Sequence, residues 1–240
     1  MLRAITALKY FCEELPAYAV AAAGSLLGLS AHEGSGYPVG KVETLNLHPL
    51  SFREYLDATG DRPLRLLLDS QDAQTMAAFS EREVLALKTY YLVGGMPAVV
   101  NEYVESEDFA QVRTLQNQIL EEYTRDFAKH MPMRLLSKAL DAWRSIPAHL
   151  PYENKKFVFG RIREGARAKG FGDALIWLQQ AGLISKVPRV KKSALPLSAY
   201  DDHKSFKVFL LDVGLLGAMS GVDAASIVQG AGSSPNLKGP

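Results

Sequence analysis

The run Tyr18-Ala-Val-Ala-Ala-Ala-Gly-Ser-Leu-Leu-Gly28 constrains the fold of this chain more than any other stretch. Small and β-branched residues without polar alternation suit a strand covered on both faces, as in parallel sheets, and the Gly-Ser turn suits a restart as a helix. A buried strand requires neighbours. One other candidate lies nearby, Val42 to His48 in Lys-Val-Glu-Thr-Leu-Asn-Leu-His, so the sequence predicts an incomplete parallel α/β sheet. Nearly everything after it reads as helix. The expected fold class is therefore α+β, mostly helical.

A chain of 240 residues, 48% apolar and 22% charged, can bury a sizeable core and ordinarily holds one or two domains. No stretch approaches the apolar length of a membrane span. Met1 to Leu15 carries charges where a signal peptide needs a continuous apolar segment, so the reading is cytoplasmic with no membrane partner. The lone Cys12 excludes an internal disulfide and reads as a packing residue. A formal net charge of +1 hides an asymmetry. Residues 1–130 hold 11 Lys and Arg against 18 Asp and Glu, whereas residues 151–220 hold 12 against 6. The basic half suits phosphate backbones, or the acidic half itself.

Met1 to Leu15 predicts a helix stopped by Pro16, and Ser30 to Gly40 is loop chemistry. Ser51-Phe-Arg-Glu54 is a capping box, with Leu50 placed to staple onto Tyr55 and Gly60 to stop the helix. A second box, Ser80-Glu-Arg-Glu83, opens a helix with Val84, Leu87, Tyr91 and Leu92 on one stripe, ending at Gly94-Gly95. Pro97 suits the first turn of the next helix, and Asp108 caps a long one carrying Phe109, Val112, Leu115, Ile119, Tyr123 and Phe127. Leu135 to Ile146, Lys156 to Arg167 and Phe171 to Ala181 read as three helices. Strands Leu183 to Val190 and Ser205 to Leu211 follow, joined by a basic loop, which together describe a winged helix-turn-helix. The expected divisions are 1–50, 51–130 and 131–220, with 221–240 a loose tail.

Gly36-Tyr-Pro-Val-Gly-Lys41 approaches a phosphate-binding loop but departs from it at Ser35, Pro38 and Val42. Ser25 sits on a strand-to-helix turn without the flanking glycines of a nucleophile elbow, having Ala23 and Leu27 there. The histidines at 32, 48, 130, 149 and 203 show no metal-ligand spacing, so no metal site is expected. Glu153-Asn-Lys155 has the Glu-x-Lys form of many nucleases but falls at a helix start, and Glu121-Glu122 and Asp201-Asp202 read as solvated faces. No catalytic residue is assigned. The serious set is basic: Arg161, Arg163, Arg167 and Lys169, with Lys186, Arg189, Lys191 and Lys192, flanking the third helix and the wing. Such charge fits the backbone of DNA or RNA, with a protein partner or a purely intramolecular winged helix as the alternatives. Asp173 to Gln180 carries no Arg or Lys, which argues against base readout by that helix.

Seven motifs then fall in a recognisable order: Ala23-Gly-Ser-Leu-Leu-Gly28, Pro38-Val-Gly-Lys-Val42, His48-Pro-Leu-Ser-Phe52, Val93-Gly-Gly-Met-Pro97, Tyr123-Thr-Arg-Asp-Phe127, Asn154-Lys-Lys-Phe157 and Leu211-Asp-Val-Gly-Leu-Leu216. Over residues 1 to about 228 the chain resembles a prokaryotic AAA-type ATPase family related to archaeal ORC/Cdc6-like ATPases. The resemblance implies the remnant of an ATPase core at 1–50, a helical lid at 51–130 and a winged helix at 131–220. It also implies ATP and magnesium as cofactors of the full-length family. Ser25 falls at the sensor position that watches the γ-phosphate. The Walker A and Walker B elements and the family's nuclease-like domain have no counterpart in these residues, so the chain is expected to be an internal fragment with nucleotide binding and hydrolysis lost and no cofactor of its own. Ser233-Ser-Pro-Asn-Leu-Lys-Gly-Pro240 admits codons whose adjacent frame reads Leu-Phe-Thr-Glu-Phe-Lys-Gly-Ala, so a frameshift near Gly230 is expected. The gene's own codons test it.

Overall fold

The computed structural model describes residues 2–24, 40–151 and 156–223. The Ser25 turn, the glycine-rich loop up to Val39, Glu153-Asn-Lys155 and the tail from Ala224 lie outside the described residues. In chain order the helices are α1 (Leu2–Glu14), α2 (Phe52–Ala58), α3 (Arg62–Ser70), α4 (Ala73–Ala78), α5 (Ser80–Val93) and α6 (Pro97–Ser106). They continue with α7 (Phe109–His130), α8 (Met133–Ser145), α9 (Ala168–Gln180) and α10 (Val213–Met219). Strands β1 (Ile184–Val190) and β2 (Asp201–Leu210) pair as a two-stranded sheet between α9 and α10. The chain is α+β and mostly helical, and no helix among the described residues is long and apolar enough to cross a membrane.

The chain divides into two units. The helical unit comprises His48–Met131, Ile146–Pro151 and Leu210–Pro240. Its first helix starts on the predicted box: Glu54 N–H donates to the Ser51 hydroxyl, and Ser51 N–H to the Glu54 carboxylate at 2.7 Å. Asp61, Asp72 and Asp108 cap α3, α4 and α7 in the same way, each carboxylate accepting a first-turn N–H. Tyr55, Leu56, Leu64, Val93, Val99, Val100 and Val112 form one buried cluster, with Phe52 and Tyr90 packed against it. Ring centroids in the Phe52, Tyr55 and Tyr90 trio lie 5.3–6.4 Å apart.

Two expectations change here. The second capping box does not form: α5 begins at Ser80 itself, behind Phe79, with no side-chain cap. Phe79 N–H already bonds Met76 and Glu83 N–H bonds Phe79, so the backbone at Ser80 is inside the helix. The cluster around Tyr55 takes Ala86, Tyr90 and Val93 from α5; of the predicted stripe Leu92 is buried and Leu87 half-buried, while Val84 and Tyr91 are exposed.

The hairpin unit comprises Met1–Leu47, Pro132–Ser145 and Tyr152–Phe209. Helices α8 and α9 pack together through helical-period faces, Ala139, Ala142 and Trp143 on one and Phe171, Ala174, Leu175 and Leu178 on the other, all buried. Phe157 stacks on Phe206 of β2, with centroids 5.5 Å apart, and donates its N–H to the Phe206 carbonyl. The predicted helix over 156–167 is instead a 3₁₀ turn at Phe159–Arg161 followed by turns. Gly165, at φ +73°, breaks any helix there. Residues 18–24 and 42–47 are not strands. The apolar run has the composition of one, but a strand exists only with a partner strand for its amides and carbonyls, and no strand among the described residues pairs with it; Tyr18 N–H donates instead to the Leu15 carbonyl at 3.0 Å. Tyr18, Val20, Leu45 and Leu47 are exposed.

Candidate functional site

The basic residues singled out in the sequence gather at two places in the hairpin unit. Arg163, Arg167 and Lys169 line one open depression of about 590 Å³, joined by Lys138 from α8, with Glu164 the one acid on its wall. Gly165 makes the arrangement, because its left-handed turn reverses the chain between the two arginines. Arg163 is held in place: its guanidinium lies 5.4 Å from the centre of the Phe171 ring and 3.3 Å from Asp141. Arg167 and Lys169 are exposed at the start of α9. The buried face of α9, including Trp177, is packing surface. Four cations around one acid in an open concavity can bind a polyanion through its phosphates.

The second place is the hairpin. Lys191 closes its connecting segment by donating its N–H to the Tyr200 carbonyl at 2.9 Å, and the Lys192 ammonium stands 6.0 Å from the Tyr200 ring. Arg189 is paired with Asp202 at 3.1 Å, and Lys186 lies 4.4 Å over the Phe206 ring. Arg161, in the 3₁₀ turn, does not line the depression. Ser25 is outside the described residues.

A third polar cluster lies in the helical unit, and it joins three of the ordered motifs. Asp212 is 4% exposed. One carboxylate oxygen accepts the Gly95 N–H at 2.6 Å, and the other accepts the Leu215 N–H at 2.8 Å as the cap of α10. The Gly95 carbonyl accepts the Leu50 N–H at 2.7 Å, and the Leu50 carbonyl accepts the Tyr90 hydroxyl at 2.8 Å. Gln116, fully buried on α7, donates to the last carbonyls of α5, Leu92 at 2.8 Å and Val93 at 3.0 Å. Burial pushes the Asp212 carboxyl above its ordinary value, opposed by the N–H groups of Gly95, Leu215, Gly214 and Val213. The tyrosines at 90 and 123 are raised first by burial and then by the Asp212 charge. With both oxygens engaged by backbone N–H groups, this carboxylate fastens the fold.

Residues 84–226, more than half of the chain, match the family described as Domain of unknown function (DUF8612). The chain belongs to that family. Residues 2–56 match the family described as AAA domain, which relates the chain to AAA-type ATPases. No curated protein and no solved structure matches it. The DUF8612 segment contains the cationic depression and the Asp212 cluster apart from Leu50.

Sequence reasoning missed two parts of these sites. Lys138 lies about a helix and a loop away from the basic run and reaches the depression only through the packing of α8 on α9. Asp212 was legible as a helix cap, from its place before a short apolar helix, but its bond to Gly95 spans 117 residues and has no local signal.

Proposed function

We propose that this chain is the nucleic-acid-binding part of an AAA-type ATPase lineage related to archaeal ORC/Cdc6-like ATPases, with 51–130 as its helical lid and the hairpin unit carrying its winged helix. In this reading the 240 residues act in the cytoplasm and bind the phosphate backbone of DNA or RNA without reading bases. They neither bind nor hydrolyse ATP, and Ser25 is an unused sensor position. The observation that carries it is the gathering of Lys138, Arg163, Arg167 and Lys169 around one open depression, in a unit that ends in a β-hairpin. The order of the seven motifs and the AAA-domain match support the lineage.

Fluorescence anisotropy with labelled duplex DNA tests the binding half. Four phosphate contacts lose about 10²-fold in affinity between roughly 50 and 200 mM salt. Arg167→Ala and Lys169→Ala each lower the slope of log affinity against log salt by about 1. Absence of binding, or binding indifferent to salt, overturns this half. Equilibrium dialysis against ATP and magnesium tests the other: no retention is expected, and magnesium-dependent capture of ATP overturns it.

A further inference from the structure

We infer that the cationic depression of one copy of this chain receives the acidic turn between α6 and α7 of a second copy, so that the chain associates with itself head to tail. Lys138, Arg167 and Lys169 on one side face Glu102, Glu105 and Glu107 on the other. This goes beyond the nucleic-acid reading and does not depend on it, since the same cations meet carboxylates as well as phosphates.

The turn is held by its own hydrogen bonds. Glu107, at φ +52°, closes α6 by donating its N–H to the Tyr103 carbonyl at 2.9 Å. The Ser106 hydroxyl donates to the Glu102 carbonyl at 2.8 Å and accepts the Asp108 N–H at 3.1 Å. Asp108 then caps α7 through the Ala110 N–H at 2.7 Å, and the Tyr103 and Phe109 rings stack with centroids 5.3 Å apart. On this frame Glu105 and Glu107 are exposed, Glu102 is half-buried and Val104 is 47% exposed. Between Lys88 and Arg113 the chain has no Lys or Arg. Glu102, Glu105 and Glu107 form no ion pair among the described residues.

On the receiving side Arg163 is engaged by Asp141, whereas Lys138, Arg167 and Lys169 form no ion pair among the described residues. Three open cations stand against three open carboxylates. The other acidic run of the helical unit, Glu121, Glu122 and Asp126, is interleaved with Arg125 and Lys129 and offers less net charge. The complementarity extends to the units: the helical unit holds 9 Lys and Arg against 16 Asp and Glu, the hairpin unit 18 against 10. Complementary potentials of this kind steer encounter and fix register. Because the two surfaces differ, the contact is heterologous and repeats from copy to copy instead of closing as a two-fold dimer. Exposed ion pairs are individually weak and screened by salt, so the association belongs to low ionic strength.

Sedimentation velocity of the full chain tests this. In about 20 mM salt the weight-average coefficient is expected to rise with protein concentration, and in about 300 mM salt to stay constant. Two charge-reversed variants at exposed positions, Glu105→Lys/Glu107→Lys and Arg167→Glu/Lys169→Glu, each checked for unchanged circular dichroism, are expected to remain monomeric at the lower salt. An equimolar mixture of the two is expected to associate again, because each reversed surface then meets opposite charge on the other variant. A low-salt coefficient independent of concentration overturns the inference, as does association that survives the higher salt or persists in either variant alone. A mixture that stays monomeric overturns the pairing of these two surfaces. None of these readouts involves nucleic acid, so failure of the chain to bind DNA leaves the inference standing, and failure to self-associate leaves DNA binding standing.

Discussion

A Cβ at Gly95 would land on the Leu50 carbonyl, and one at Gly94, where φ is +77° and ψ −167°, on the Asp212 carboxylate. Both obstacles are fixed by hydrogen bonds, so neither can yield as a flexible side chain would. Gly182 differs. Its φ of +74° closes α9, but a Cβ there meets nothing within 4 Å. Gly95→Ala is therefore expected to cost about 3 kcal/mol, at the upper end for overpacking, and Gly182→Ala about 1 kcal/mol for the left-handed backbone alone. Urea unfolding of the two variants ranks them; equal losses would show that the Gly95 turn relaxes freely. Asp212 adds a pH dependence. Its folded pKa is raised, so between the ordinary carboxylate range and that raised value the folded chain binds a proton that the unfolded chain has released. The group thus favours folding at low pH, and that contribution is lost as pH rises through the folded value. Asp212→Asn removes the titration and sets an amide donor against a backbone donor, at a cost of about 1–3 kcal/mol. The stability deficit of the variant is expected to widen as pH falls from 7 toward about 4, where the unfolded carboxyl titrates. A deficit that narrows on acidification contradicts the assignment.

Two sequence patterns of the same form met different fates among the helices. Ser51-Phe-Arg-Glu54 and Ser80-Glu-Arg-Glu83 both spell a capping box, yet only the first caps a helix. Local spelling proposes a cap; the backbone before it decides. Ahead of Ser51 the chain is irregular and pinned by the Leu50 to Gly95 bond, which leaves Ser51 extended at ψ 166°. Ahead of Ser80, α4 runs almost directly into α5. Ser51→Ala is accordingly expected to lose about 1 kcal/mol and Ser80→Ala to stay within about 0.5 kcal/mol of wild type in thermal or urea unfolding. A substantial loss at Ser80 would show that its hydroxyl caps after all. Helices α6, α7 and α9 were legible because Pro97, Asp108 and Gly182 act within one turn of the ends they mark. The core face of α5 was legible only in part. Of the stripe Val84, Leu87, Tyr91 and Leu92, Leu92 is buried but Val84 and Tyr91 are exposed, and the cluster around Tyr55 draws on Ala86, Tyr90 and Val93.

Across the whole molecule, legibility fell off with the sequence distance of the interactions. The charge asymmetry identified the basic surface, because charge needs no partner to be counted, but the meeting of Lys138 with Arg167 depends on helix packing. Residues 18–24 and 42–47 are the opposite case, with composition pointing to a buried sheet and the pairing that defines one lying beyond local reach. Their exposure has a dynamic consequence. An amide exchanges with solvent unless a hydrogen bond must first open, and the energy of that opening approaches the global stability, roughly 5–15 kcal/mol, only in packed core. Val99 and Leu178 sit in the cores of their helices with no exposure, whereas Val20, Leu45 and Leu47 are exposed and have no backbone pairing among the described residues. Hydrogen exchange followed by mass spectrometry is expected to label residues 19–24 and 45–47 at near-intrinsic rates while peptides containing Val99 and Leu178 stay protected. Strong protection at Val20 comparable to that at Leu178 would mean that the apolar run has found a strand partner in solution, restoring the sheet its composition predicts.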